Sequence, residues 1–169
     1  HNKAEALARQ LNIAMPDANV VAVASAFPPN SVTTRAMILD CDVIIDCSAE
    51  DRVLYSMATF PWVGEKRFYS FSMTWSAKGL LAFSASETAF PAVDARSRFA
   101  AATGPARHMD AAVMEGIGCW LPVFPAAADD VSLWGAIAAK FIRRGFGKYD
   151  RQFVHFEQSD DGTVAVVDA

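Results

Sequence analysis

The stretch CDVIIDCSAEDRVL, residues 41–54, constrains the fold more than any other. Val43, Ile44 and Ile45 form a β-branched run that suits a strand covered on both faces, as strands of parallel sheets are. The run gives way to Asp46, Cys47, Ser48, Ala49, Glu50 and Asp51, and apolar residues then return at helical spacing to about Ala58, with Pro61 closing the segment. Strand, polar turn and helix make the repeating step of α/β folds, and open sheets bind ligands beyond the carboxyl ends of their strands. Asp and Ser also cap helices well, and acids in a first turn complement the helix dipole, so capping alone accounts for these residue types. The functional alternative is a magnesium or nucleotide site, because hard oxygens suit Mg²⁺ and free backbone N–H groups suit phosphate.

The flanking segments extend this pattern. Leu7, Leu11 and Ala14 repeat at helical spacing, Pro16 and Asp17 turn the chain, and NVVAVASAF (19–27) reads as a strand, with residues 20–25 in a parallel core. RFYSFSMTW (67–75) alternates aromatic and small polar residues at period two. Lys78 and Gly79 signal a turn and LLAFSAS (80–86) answers, so residues 68–75 are expected to pair antiparallel with 80–85. Residues 86–116, rich in alanine and broken by Pro91, Gly104 and Pro105, read as a long mobile excursion with short helices at most. VSLWGAIAAKFI (131–142) reads as a helix apolar nearly all round, buried in a core or against another subunit, after the N-cap candidates Asp129 and Asp130 and before the stop Arg143, Arg144, Gly145. RQFVHFEQ and TVAVVDA, joined through Asp160, Asp161 and Gly162, form a closing hairpin.

Composition excludes several classes. A chain of 169 residues fits one domain, and 53% hydrophobic with 20% charged residues is globular rather than disordered. The net charge of −4 argues against bulk nucleic-acid binding, and no apolar run reaches the 18 residues of a membrane span. Cys41, Cys47 and Cys119 form no C-x-x-C pair, so neither a disulfide framework nor structural zinc is expected, and a cytoplasmic location is. Cys119 beside Trp120 reads as a buried small residue, and His155, alternating with Val154 and Phe156, as structural, while His108 has no partner by spacing. The chain opens inside a helical pattern without an initiator Met, which reads as a piece of a longer protein.

Four segments carry a resemblance. NKAEALARQLNIAMPDANVVAV resembles the lysine-bearing helix and following strand of the E1-like ThiF/MoeB/HesA adenylyltransferase superfamily. DVIIDCSAEDRVL is similar to that family's D-C-T-D-N strand and turn, RFYSFSMTWSAKGLLAFSA to its next hairpin, and GCWLPVFPAAADDVSLWGAIAAKFI to its late buried helix. The resemblance implies an α/β, Rossmann-like ThiF/E1 adenylation fold, mainly parallel with antiparallel C-terminal hairpins. Residues 1–169 would be the C-terminal part of that domain, without its N-terminal nucleotide-binding half, and 86–116 a crossover-type segment. It implies ATP and Mg²⁺ as cofactors, and a ubiquitin-like or sulfur-carrier protein as partner, whose C-terminal carboxylate becomes an acyl adenylate. A homodimer, and neither nucleic acid nor membrane, would complete the set of partners.

By the same resemblance Lys3 contacts the ATP phosphates and acts with Asp51 in catalysis, Ser48, Ala49 and Glu50 line the cofactor, and Glu50 and Asp51 hold the metal. The family's metal-binding aspartate falls at Ala49, which cannot ligate Mg²⁺, so Glu50 or Asp51 is the replacement. The rival reading keeps the fold and partner binding but not catalysis, with Ala49 in its favour. A dinucleotide-dependent dehydrogenase fragment is a third reading, weakened by the lack of a hydride-transfer constellation.

Overall fold

The computed structural model describes residues 2–74, 77–103, 127–146 and 150–167. The chain divides into two compact units, residues 1–40 and 41–169.

In the first unit, α1 (Lys3–Ala14) starts where the Asn2 side chain accepts the Ala4 N–H at 2.9 Å. The Asn12 side chain holds the main chain of Val20 from both ends: its Oδ1 accepts the Val20 N–H at 2.8 Å and its Nδ2 donates to the Val20 carbonyl at 2.9 Å. A helix absent from the sequence expectation, α2 (Val32–Leu39), follows the Ser31 cap. The strand expected at 20–25 is not formed, and those residues have no regular secondary structure. A strand exists only with a neighbour for its main chain, and composition cannot show whether the neighbour is there.

The second unit is built on a five-stranded sheet in the order β1 (Val43–Asp46), β2 (Lys66–Met73), β3 (Gly79–Glu87), β4 (Gln152–Gln158), β5 (Val164–Val167). β1 and β2 are parallel, joined through α3 (Asp51–Thr59), and the other three neighbouring pairs are antiparallel. The protein is therefore mixed α/β, but this sheet is mainly antiparallel rather than mainly parallel, because the hairpins dominate it. The expected pairing of β2 with β3 is present, with Phe68 opposite Ala85 and Met73 opposite Leu80, as is the closing hairpin of β4 and β5.

Alternation sorts β2 between two layers. Tyr69 and Phe71 join Leu80, Ala82, Trp134 and Phe141 in a core beneath α5 (Ala128–Gly145), where the Trp134 indole N–H donates to the Ala77 carbonyl at 2.6 Å. Phe68, on the opposite face, meets Phe90 edge-on at 5.6 Å, and Phe83 meets Phe90 and Phe99 in the same geometry. Phe99 belongs to α4 (Ala92–Thr103), which packs beside α3.

Two expectations are corrected here. Residues 92–103 form one 12-residue helix where only short helices were expected: Ala92 and Ala95 are buried, and an Asp94–Arg98 pair at 2.8 Å braces one turn. Alanine reads as featureless in a sequence, yet it is the strongest helix former and lets a helix lie close to a sheet. Residues 104–116, and with them His108, lie outside the described residues, as does Cys119. The second correction concerns α5, which is one-sided rather than buried all round. Trp134 and Phe141 face the core, while Val131, Lys140, Arg143 and Arg144 face solvent.

Candidate functional site

β1 ends at Asp46, whose carboxylate turns inward and is 6% exposed. Its Oδ1 accepts the Ser48 N–H at 3.0 Å and the Ser48 hydroxyl at 2.7 Å, and its Oδ2 accepts the Ser70 hydroxyl from the middle of β2 at 2.9 Å. The first of these closes a two-residue side-chain turn, a geometry that Asp favours and that halts the strand. Ser48 Oγ in turn accepts the Glu50 N–H at 3.3 Å. Ala49, between them, has φ +55°, in the left-handed region where a Cβ is strained and where Asn and Asp are better tolerated than Ala.

The other two carboxylates pair with arginines. Glu50 Oε2 lies 3.3 Å from Arg52, and Asp51 Oδ2 accepts from Arg96 of α4 at 2.8 Å. The carboxylate beside Arg96 pushes that guanidinium pKa up from its ordinary value. Glu50 opens α3 through its backbone only, since its side chain caps nothing. The thiol of Cys47 is raised from its usual pKa, first by desolvation and then by the charge of Asp46, which disfavours a thiolate although the residue reaches solvent.

A cavity of about 230 Å³ opens at this strand end. Asp46, Asp51, Ser70 and Ser72 supply its polar wall, Leu54, Leu81 and Phe99 its apolar wall, and Arg96 and Thr103 the α4 side. A pocket with a few converging polar groups on apolar walls at a strand's carboxyl end is the usual form of a small-ligand site.

The structure thus brings Ala49 and Asp51 to one cavity, with Ser48 and Glu50 in the adjoining turn. Lys3 is exposed at the first position of α1 and belongs to the other unit. Among the described residues no three or more His, Cys, Asp or Glu side chains gather as a metal cluster. Asp51 and Glu50 are carboxylates of the hard-oxygen type that suits Mg²⁺, which commonly takes one or two carboxylates plus substrate phosphates, though each here already pairs with an arginine. Ser70, Ser72 and Arg96 were not among the expected site residues. The alternation of RFYSFSMTW carries a signal for the two serines, since it sets positions 70 and 72 on one face.

No known family profile matches the chain. Over 164 residues, 97% of its length, it is 52% identical to the ATP-dependent ubiquitin transferase-like protein Cap2 of Enterobacter hormaechei subsp. hoffmannii (strain UCI 50). The chain spans 27% of that relative. The relative's name points to an E1-like relationship, in line with the resemblance drawn from the sequence. No helix among the described residues is long and apolar enough to cross a membrane.

Proposed function

We propose that this chain is part of an E1-like enzyme that uses ATP to activate the C-terminal carboxylate of a ubiquitin-like or sulfur-carrier protein. The observation that carries the reading is the 52% identity, across nearly the whole chain, to a protein named for ATP-dependent ubiquitin transfer. In this reading a carboxylate oxygen of the partner attacks the α-phosphorus of ATP. The bond to the β-phosphate oxygen breaks, and pyrophosphate leaves with the electron pair. Bound Mg²⁺ would neutralise phosphate charge as that bond breaks. Lys3 would add positive charge at the phosphates, and the Ser48–Glu50 turn would line the nucleotide. Asp51, with Glu50 beside it, would offer the oxygen that Ala49 lacks. Arg96 would hold Asp51 in place at the cavity wall. The relative's name does not favour the non-catalytic alternative.

The test is ATP–pyrophosphate exchange by the complete natural polypeptide with a ubiquitin-like protein ending in a free carboxylate. Lys3→Ala should slow exchange on the order of 100-fold, as loss of one charge-stabilising group does. Asp51→Asn and Glu50→Gln should raise the Mg²⁺ concentration needed for half-maximal exchange, the true ligand more than the other. Exchange unchanged in all three variants would move the site elsewhere. A parent protein that binds the partner without any exchange would establish the non-catalytic alternative.

A further inference from the structure

α4 carries one wall of the cavity and buries little to hold it there. Arg96, Phe99, Ala100 and Thr103 recur at i, i+3, i+4 and i+7, so they share the stripe of the helix that lines the cavity. Five of the twelve α4 residues are alanine, and Val93 is 74% exposed. Among the described residues its ring contacts with the sheet are those of Phe99, edge-on to Phe83 at 6.5 Å and tilted on Phe153 at 6.0 Å. One aromatic pivot, with the small side chains of Ala92 and Ala95, sets how close the helix lies to the sheet. It does not by itself set how the helix is turned or how far it slides.

The ionic hold of α4 on the sheet runs through Arg151, the residue before β4. Its Nε donates to Glu87 Oε1 and its Nη2 to Glu87 Oε2 at 3.0 Å, a fork on the carboxylate that ends β3. Its Nη1 donates to Asp94 Oδ2 in the first turn of α4 at 3.3 Å, and Asp94 Oδ1 accepts from Arg98 at 2.8 Å. The Asp94 carboxyl is held below its ordinary pKa, first by the Arg98 hydrogen bond and further by Arg151. Exposed ion pairs taken singly contribute little, but a planar fork shared by two carboxylates is ordered once for both and fixes direction as well as distance. We infer that Arg151 is a positioning residue: it clasps the start of α4 to the β3–β4 end of the sheet, and so keeps Arg96, Phe99 and Thr103 in register with Asp51 and Ser70 across the cavity. Arg151 stands outside the cavity wall, so it acts on a bound ligand only through α4. The kinetic part of this inference rests on the proposed function, in which the cavity belongs to the adenylation site; the clasp itself does not.

The complete natural polypeptide serves for the test, as parent, Arg151→Ala, Arg151→Lys and Asp94→Asn. In amide hydrogen exchange read by mass spectrometry, Arg151→Ala should speed the exchange of peptides within 92–103 about 5- to 10-fold and leave those within 66–73 unchanged. In ATP–pyrophosphate exchange it should raise the KM for ATP or for the ubiquitin-like partner about 5- to 10-fold and keep kcat within about 2-fold, the pattern of binding lost equally in ground and transition states. Asp94→Asn, which opens the clasp from the α4 side, should reproduce both effects. Arg151→Lys should recover part of the lost KM, since an ammonium engages one carboxylate but cannot fork across two. Faster exchange in α4 with both KM values unchanged would overturn the positioning role. Unchanged exchange in α4, or an equal rise throughout the chain, would overturn the clasp. A parent without pyrophosphate exchange would defeat the proposed function instead, and the α4 exchange rates would then decide the clasp alone.

Discussion

Asp46 is the residue on which the geometry of the candidate site depends, and its replacement separates electrostatic from steric support. In Asp46→Ala the Ser70 hydroxyl, in a residue 1% exposed, loses its only acceptor among the described residues, and Ser48 loses two bonds that hold the turn. Stranding one buried hydroxyl costs about 1–3 kcal/mol, and bonds to a charged acceptor are worth about 1.5–3 kcal/mol each, offset by no longer burying a carboxylate. The expected net loss is about 2–4 kcal/mol, a large share of the stability of an ordinary domain. Asp46→Asn keeps an oxygen for both Ser48 donors, and the Ser70 hydroxyl can rotate to accept from the new amide. Only charge assistance is lost, about 1 kcal/mol. Urea unfolding of parent, Asn and Ala variants reads both values, with an unchanged slope showing that the unfolding reaction is the same. An Ala variant within about 0.5 kcal/mol of the parent, or an Asn variant as damaged as Ala, would refute the network as drawn.

Three more expectations follow from the geometry. Ala49→Gly should stabilise the chain by about 0.5–1 kcal/mol in the same assay, because it removes a Cβ from a backbone at φ +55°; a loss would show that the Ala49 methyl is needed at the cavity. Trp134→Phe should cost about 2–3 kcal/mol, read as a fall in melting temperature, since it strands the Ala77 carbonyl and thins the layer beneath α5. Asp161, hydrogen-bonded to the Ser159 hydroxyl and the Thr163 N–H in the β4–β5 turn, is lowered to about 2. A carboxyl depressed on folding stabilises above its unfolded value of 3.8 and loses that contribution as pH falls toward 2, so an NMR titration of the Asp161 carboxyl should show a midpoint near 2, and one near 3.8 would contradict the turn.

Where a signal is local, the sequence carries it. The β1 run, the pairing of β2 with β3, the closing hairpin and the helix over 131–142 rest on short-range periodicity or turn residues, and each is in the structure. α5 begins earlier, after Ala127, so that Asp129 and Asp130 lie in its first turn rather than capping it. What depends on distant neighbours was not legible. Residues 20–25 have strand composition without a strand, Val32–Leu39 is a helix despite four β-branched residues, and the one-sided burial of α5 depends on the sheet beneath it. The site divides in the same way. The turn of residues 48–51 could be found from its acids, while Ser70 and Arg96 reach Asp46 and Asp51 only through tertiary folding, 24 and 45 positions along the chain.

β2 is buried along most of its length, with Ser70 turned to Asp46 and its neighbours Tyr69 and Phe71 turned to Phe141. One strand therefore serves as a shared wall for the two helical layers, and neither layer can detach without exposing the other's support. Local opening at this wall would cost nearly as much as unfolding the whole second unit, so the Ser70 and Phe71 amides should exchange only through the global transition. The cavity at the end of β1 is then set by the cooperativity of the sheet as a whole, and substitutions under α5, on the opposite side, become a means of changing its shape.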